Sequence, residues 1–70
     1  MNKEIKAESF NIGDSVRYIP THAKGNLSHP DCENGIISSV RGNTIFVKYL
    51  RHGVLQYTAE ATDINDLIKT

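Results

Sequence analysis

The sequence predicts an all-β domain, a small five-stranded barrel. Three observations carry that expectation. Short runs alternate apolar and polar residues with the two-residue period of a half-buried strand. The densest of them, Thr44-Ile-Phe-Val-Lys-Tyr-Leu50, is rich in β-branched and aromatic residues. All five glycines fall between such runs, where turns are needed, and none inside them. Short strands spread over residues 10–70 leave sheet edges uncovered, and closure into a barrel removes those edges.

Residues 1–9 alternate charges around a single isoleucine and are expected to form an N-terminal arm, with residues 10–70 as the barrel domain. Gly13-Asp14 is a turn signal that introduces a first strand at residues 15–19. There Val16 and Tyr18 should face the core, and Ser15 and Arg17 outward. A long polar stretch follows at residues 20–35, holding both prolines, two of the three histidines and the only cysteine. Connections in compact domains are usually about 4–6 residues, so a loop this long is where a site should be sought. We expect it to be ordered. Asn34-Gly35 then reads as a tight turn into a second strand at residues 36–40. Arg41-Gly-Asn-Thr44 supplies a hairpin connection to the third strand, at residues 44–50. Arg51-His52-Gly53 turns the chain back into a fourth at residues 54–58. Thr62-Asp63 can cap one helical turn before a last strand at residues 67–69.

Composition narrows the function classes. The chain has 70 residues, near the lower limit for a self-sufficient core, and few remain to line a large enzyme pocket. Its formal net charge is zero, which argues against a strong sequence-independent grip on nucleic acid. One cysteine cannot form an internal disulfide, and a free thiol suits a reducing compartment, so a cytoplasmic location is expected. No apolar run approaches the roughly 20 residues of a membrane span. Asn26-Leu27-Ser28 matches a glycosylation sequon, read as accidental without a secretory route.

The run Phe10-Asn-Ile-Gly-Asp-Ser-Val-Arg-Tyr18, followed by Gly35-Ile-Ile-Ser-Ser-Val40 and Ile45-Phe-Val-Lys-Tyr49, resembles SH3-like barrels of the KOW and Tudor kind. The stretch from Tyr18 to Gly35, with its Pro20-Thr-His-Ala-Lys-Gly25 and His29-Pro-Asp-Cys-Glu-Asn-Gly35, also resembles a motif of short bacteriophage and prophage proteins. The first resemblance implies a binding module. The chain has no tryptophan and no Ala-Leu-Tyr-Asp-Tyr stretch, so polyproline recognition of the signalling SH3 type is not expected. An aromatic cage for methylated side chains would have to draw on Tyr18, Phe46, Tyr49 and Tyr57, and strand alternation turns Tyr18 and Tyr49 toward the core.

Four constellations could carry chemistry. His22, His29 and Cys32 are zinc-ligand types, with His52, Asp31 or Glu33 as a fourth, and a metal would staple a long loop on a small core. Their spacing matches no zinc knuckle and there is no CxxC pair. The ordinary reading is therefore internal wiring, with Cys32 packed as a small hydrophobe. Pairing Cys32 with either histidine as a nucleophile is opposed by Asp31 and Glu33, negative charges on both sides of the thiol. Arg17, Lys24, Arg41, Lys48 and Arg51 could track a phosphate backbone while Phe46 or Tyr57 stacks on a base. Finally, Ile19, Phe46, Leu50 and Leu27 would form an outward apolar patch, or the long loop or the N-terminal arm would fold over that set and complete the core; a Leu27 that anchors the loop would pack beside Phe46.

The sequence thus points to a non-enzymatic binding module. A protein partner is expected to meet residues 20–35 and the neighbouring strand face, through Arg17, Lys24, Leu27, His29, Arg41, Phe46, Lys48 and Arg51. Nucleic-acid binding is the alternative. A zinc-stapled or cysteine-dependent site is a distant third, and no cofactor is required.

Overall fold

The computed structural model describes residues 9–70, so the arm expected over residues 1–9 lies outside them except for Ser9. The described chain is all-β, with strands β1 (Ser15–Tyr18), β2 (Glu33–Arg41), β3 (Thr44–Arg51), β4 (Val54–Leu55), β5 (Glu60–Asp63) and β6 (Leu67–Lys69). Two short 3-10 turns lie at Thr21–Ala23 and Ile64–Asp66. Every strand pairing is antiparallel, and the order is β4-β3-β2-β1-β6 with β5 also on β3. No ladder joins β6 to β4 or β5 among the described residues, so the sheet is open, where the sequence predicted closure.

The sixth strand has a simple origin. β4 pairs with Leu50 and Arg51, and β5 pairs with Thr44 through Val47, on the same edge of β3. Between them the Gln56 amide still reaches the Tyr49 carbonyl at 2.8 Å. They are thus two halves of one edge strand, broken where the chain bends away at residues 57–58. The strand expected over residues 54–58 stops at Leu55 and resumes at Glu60. The cap expected at Thr62-Asp63 forms: the Asp63 carboxylate accepts from the Asn65 amide at 2.8 Å and starts the second 3-10 turn.

β2 departs from expectation at both ends. Asn34-Gly35 is not a turn. β2 starts at Glu33, and Gly35 lies inside it, between Val16 on β1 and Tyr49 on β3. Its φ is not in the left-handed region, so conformational freedom does not explain this glycine. Space does. A Cβ there would meet Val47 Cγ1 at 2.5 Å and the Lys48 carbonyl oxygen at 2.9 Å. Further along, the register with β3 shifts between Ile37 and Ser39, leaving Ser38 as the extra residue of a bulge. Unbroken alternation after Ile37 would send Ser39 inward. The bulge restores the phase, so that Val40, paired with Ile45, packs against the core instead.

The core lines one face of this sheet. Val16, Ile37, Ile45, Val47, Tyr49 and Leu67 supply the strand contributions, and Phe10 and Ile64 join them from outside the strands. Tyr18 meets the Tyr49 ring edge-on, with centroids 6.1 Å apart. Tyr49 is only 3% exposed, and its hydroxyl is satisfied by the Thr62 hydroxyl at 2.7 Å. Burial, reinforced by Glu33 and Glu60, pushes the Tyr49 phenol up to about 12 despite that hydrogen bond.

Two outcomes are expected. Gly35→Ala must push β3 away from β2, and should lower the unfolding free energy by about 1–3 kcal/mol, read as a lower urea midpoint. Tyr49 is an acid whose folded-state pKa is raised, so the unfolded chain releases its proton first as pH climbs. Stability should be intact below about pH 10 and fall through about pH 12, by up to about 3 kcal/mol from this group. Tyr49→Phe should flatten that part of a stability-against-pH curve, and an unchanged fall would refute the assignment.

Candidate functional site

Residues 19–32 leave β1 and return to β2 without a strand of their own, and their shape comes from short-range backbone bonds. The amides of Ala23, Lys24, Asn26, His29 and Cys32 each donate to the carbonyl three residues back, at 2.9–3.1 Å. Lys24 and Gly25 take left-handed conformations to link these turns. The Asn26 side chain accepts the Ser28 amide at 3.0 Å. The loop is an ordered ribbon, as expected.

One side chain ties it to the sheet. Arg17 points outward from β1, as the alternation predicts, opposite Asn34 of β2. Its Nε and Nη2 both donate to the Leu27 carbonyl, at 3.0 and 2.8 Å, while Nη1 donates to Asn34 Oδ1 at 2.7 Å. Leu27 does anchor the loop, but by its backbone. The residue is 51% exposed, so its side chain is not packed down as expected. The buried loop residues are Pro20, Ala23 and Cys32.

The ligand-type residues sort differently from the sequence expectation. The Cys32 thiol is buried and donates to the Asn26 carbonyl at 3.4 Å, the structural role rather than the chemical one. Its neighbour Asp31 points to the outside and takes its place beside the histidines. Asp31 Oδ2 lies 2.7 Å from His22 Nε2, and the His22 and His29 rings meet edge-to-face with centroids 5.2 Å apart. One donor atom from each of His22, His29 and Asp31 falls within 4.8 Å of the others. Neither Cys32 nor His52 belongs to that group.

Beside this cluster runs a groove of about 560 Å³. The loop forms one wall through Pro20, His22, Pro30 and Asp31, and Leu50, Arg51 and His52 of the β3–β4 hairpin form the other. Arg51 braces that wall. Its Nε is 2.7 Å from Glu33 on β2, its Nη1 is 2.8 Å from Glu60 on β5, and its guanidinium lies 5.6 Å from the Tyr49 ring centre. Those hydrogen bonds, to Glu33 first, raise its pKa further above its already high value. Burial, with Asp66 and Glu33 nearby, also raises the Tyr18 phenol at the groove floor.

The remaining candidates are scattered. Arg41 and Arg51 stand at opposite ends of the β2–β3 ladder, about 20 Å apart at the usual rise per strand residue. Lys24 is exposed in the loop, and Phe46 is half-buried between Ser39 and Ala61. Ile19 is half-buried. Lys48 lies over the Tyr57 ring, 5.8 Å from its centre. In the hairpin, sequence reasoning placed Leu50 and Tyr57 outward and missed Leu55. Leu50 is paired with Leu55 and both are exposed, and Tyr57 beyond them is 92% exposed. The signal was present, since Leu55 shares the phase of Tyr57 in the expected fourth strand.

Comparison with protein-family models, with curated proteins and with solved structures yields no match to this chain. The site is therefore defined by its own geometry. Arg17→Ala should leave the core intact while removing three hydrogen bonds to the loop and Asn34. We expect a stability loss of about 1 kcal/mol and faster hydrogen exchange at Asn26, His29 and Cys32. Arg17→Lys should not restore protection, because an ammonium lacks the fork that grips one carbonyl twice.

Proposed function

We propose that this chain is a non-enzymatic binding module, an SH3-like barrel in its curled sheet, that engages a protein partner. The contact surface is the groove between residues 19–32 and the β3–β4 hairpin, together with the outer face of that hairpin. The observation that carries this reading is the exposed trio Leu50, Leu55 and Tyr57 beside a groove walled by an ordered loop. Exposed apolar and aromatic groups clustered next to a concavity are what a protein contact buries. The barrel reading draws support from the last strand returning beside the first, and from Gly35 and the Ser38 bulge, both of which help a sheet curl.

The charge layout favours a protein over a nucleic acid. Of the five basic residues suited to phosphates, Arg17 is spent on the Leu27 carbonyl and Asn34, and Arg51 on Glu33 and Glu60. Arg41 is far from Arg51, so no continuous basic track forms on β3. The Cys32 thiol, buried against a backbone carbonyl, supports the non-enzymatic reading.

The test compares surface variants that cannot disturb the core. Leu55→Ser and Tyr57→Ser should each weaken capture of a partner by about tenfold, the cost of a central apolar contact. Ile12→Ser, at a 71% exposed position outside the groove, should capture normally. Tight binding to RNA or DNA with a steep salt dependence, unaffected by either hairpin variant, would overturn the proposal in favour of phosphate recognition.

A further inference from the structure

His22 and Asp31 line the groove, and with His29 they form a cluster whose chemistry is distinct from that of the exposed apolar trio. Two imidazoles and a carboxylate are ligands for zinc and its neighbours among the transition metals, and a poor set for magnesium or calcium, which favour oxygen ligands. We propose that these three residues bind a divalent transition metal of the zinc class, with a fourth coordination position open to solvent.

The geometry supports this in three ways. Ligand atoms on a tetrahedral ion with bonds of 2.0–2.1 Å stand about 3.3 Å apart. The His22–Asp31 edge, now 2.7 Å, needs to open only slightly, and the other edges start within 4.8 Å. Adjustments of that size are side-chain rotations on an exposed surface. Second, the Asp31 amide donates to His29 Nδ1 at 3.0 Å, so that nitrogen is an acceptor whose lone pair now takes the N–H. A metal taking it displaces one backbone hydrogen bond. Third, Asp31 has no ion-pair partner among the described residues except His22, so its carboxylate is not committed to a lysine or arginine.

The same arrangement explains why the site is open. The thiol that would close a four-ligand structural site is turned inward on the Asn26 carbonyl, and His52 stands across the groove. Three protein ligands and a solvent molecule form a site that exchanges its metal and can accept an outside donor. His22 and Asp31 also line the groove, so a histidine, cysteine or carboxylate of a docked partner could fill that position. That last step rests on the docking proposal; the metal site does not.

The experiment uses the full chain without an affinity tag, stripped with chelator and titrated calorimetrically with zinc, nickel and magnesium chlorides. Saturable binding of one equivalent of zinc or nickel, and none of magnesium, is expected. Saturation should raise Tm by roughly 15–20 °C at a hundredfold excess over Kd. His22→Gln and His29→Gln should each weaken binding by about tenfold or more. His52→Gln and Cys32→Ala, checked for native melting, should bind as the wild type does. The imidazole nitrogen resonances of His22 and His29 should shift on titration while that of His52 stays fixed. No saturable heat at millimolar metal, binding that survives the His22→Gln/His29→Gln double variant, or loss of binding in a folded Cys32→Ala chain would overturn the proposal. Partner capture by the chelator-stripped wild-type protein separates failure here from failure of the docking surface.

Discussion

The contact between β2 and β3 at Gly35 is the constraint on which the rest of the sheet depends. β3 carries the most buried row of the protein, Ile45, Val47 and Tyr49, and holds partners on both edges. Gly35 lies across from Tyr49 on one side and Val16 on the other, and the volume its side chain would take is filled by Val47 and Tyr49. Because one residue there has no side chain, three strands can share a single layer of core. The bulge at Ser38 then corrects the phase of β2, so that Val40 reaches the same layer. Remove the first feature and the strands separate. Remove the second and a serine faces the core.

Much of the fold was legible because alternation survives in the residues that make it. Val16, Ile45, Val47 and Tyr49 keep the period of two without interruption, and all are buried. The cap at Asp63 and the final strand at Leu67–Lys69 follow from local chemistry and are where they were expected. Gly35 was misread for a physical reason. Asn-Gly is the commonest signal for a tight turn, and nothing within the sequence neighbourhood shows that Val47 will need the space. The break between β4 and β5 is invisible for a similar reason, since it reflects which stretch of β3 remains free to be paired.

The candidate site was legible by location and only partly by residue. Length and polarity singled out residues 20–35, and the outward phase of Arg17 follows from the strand pattern. That Arg17 would seize the Leu27 carbonyl could not be read, because a backbone acceptor carries no mark in the sequence. The exchange of Cys32 for Asp31 beside the histidines is subtler. Both are ligand types one residue apart, and a tight turn decides which faces solvent. Thiols favour burial and carboxylates avoid it, so the outcome obeys a rule that spacing arguments leave out.

From Ala23 to Cys32 the loop's backbone bonds reach three residues back, and a single arginine side chain fastens this stretch to the sheet. Such a ribbon stores its shape within its own length. Its outward residues, Lys24, Leu27, Ser28 and Pro30, support neither the strands nor the core. The sheet can therefore hold still while those four positions change over generations. In that respect the loop works as interchangeable lettering on a fixed mount, and sequence variation would accumulate there long before it touched the fold.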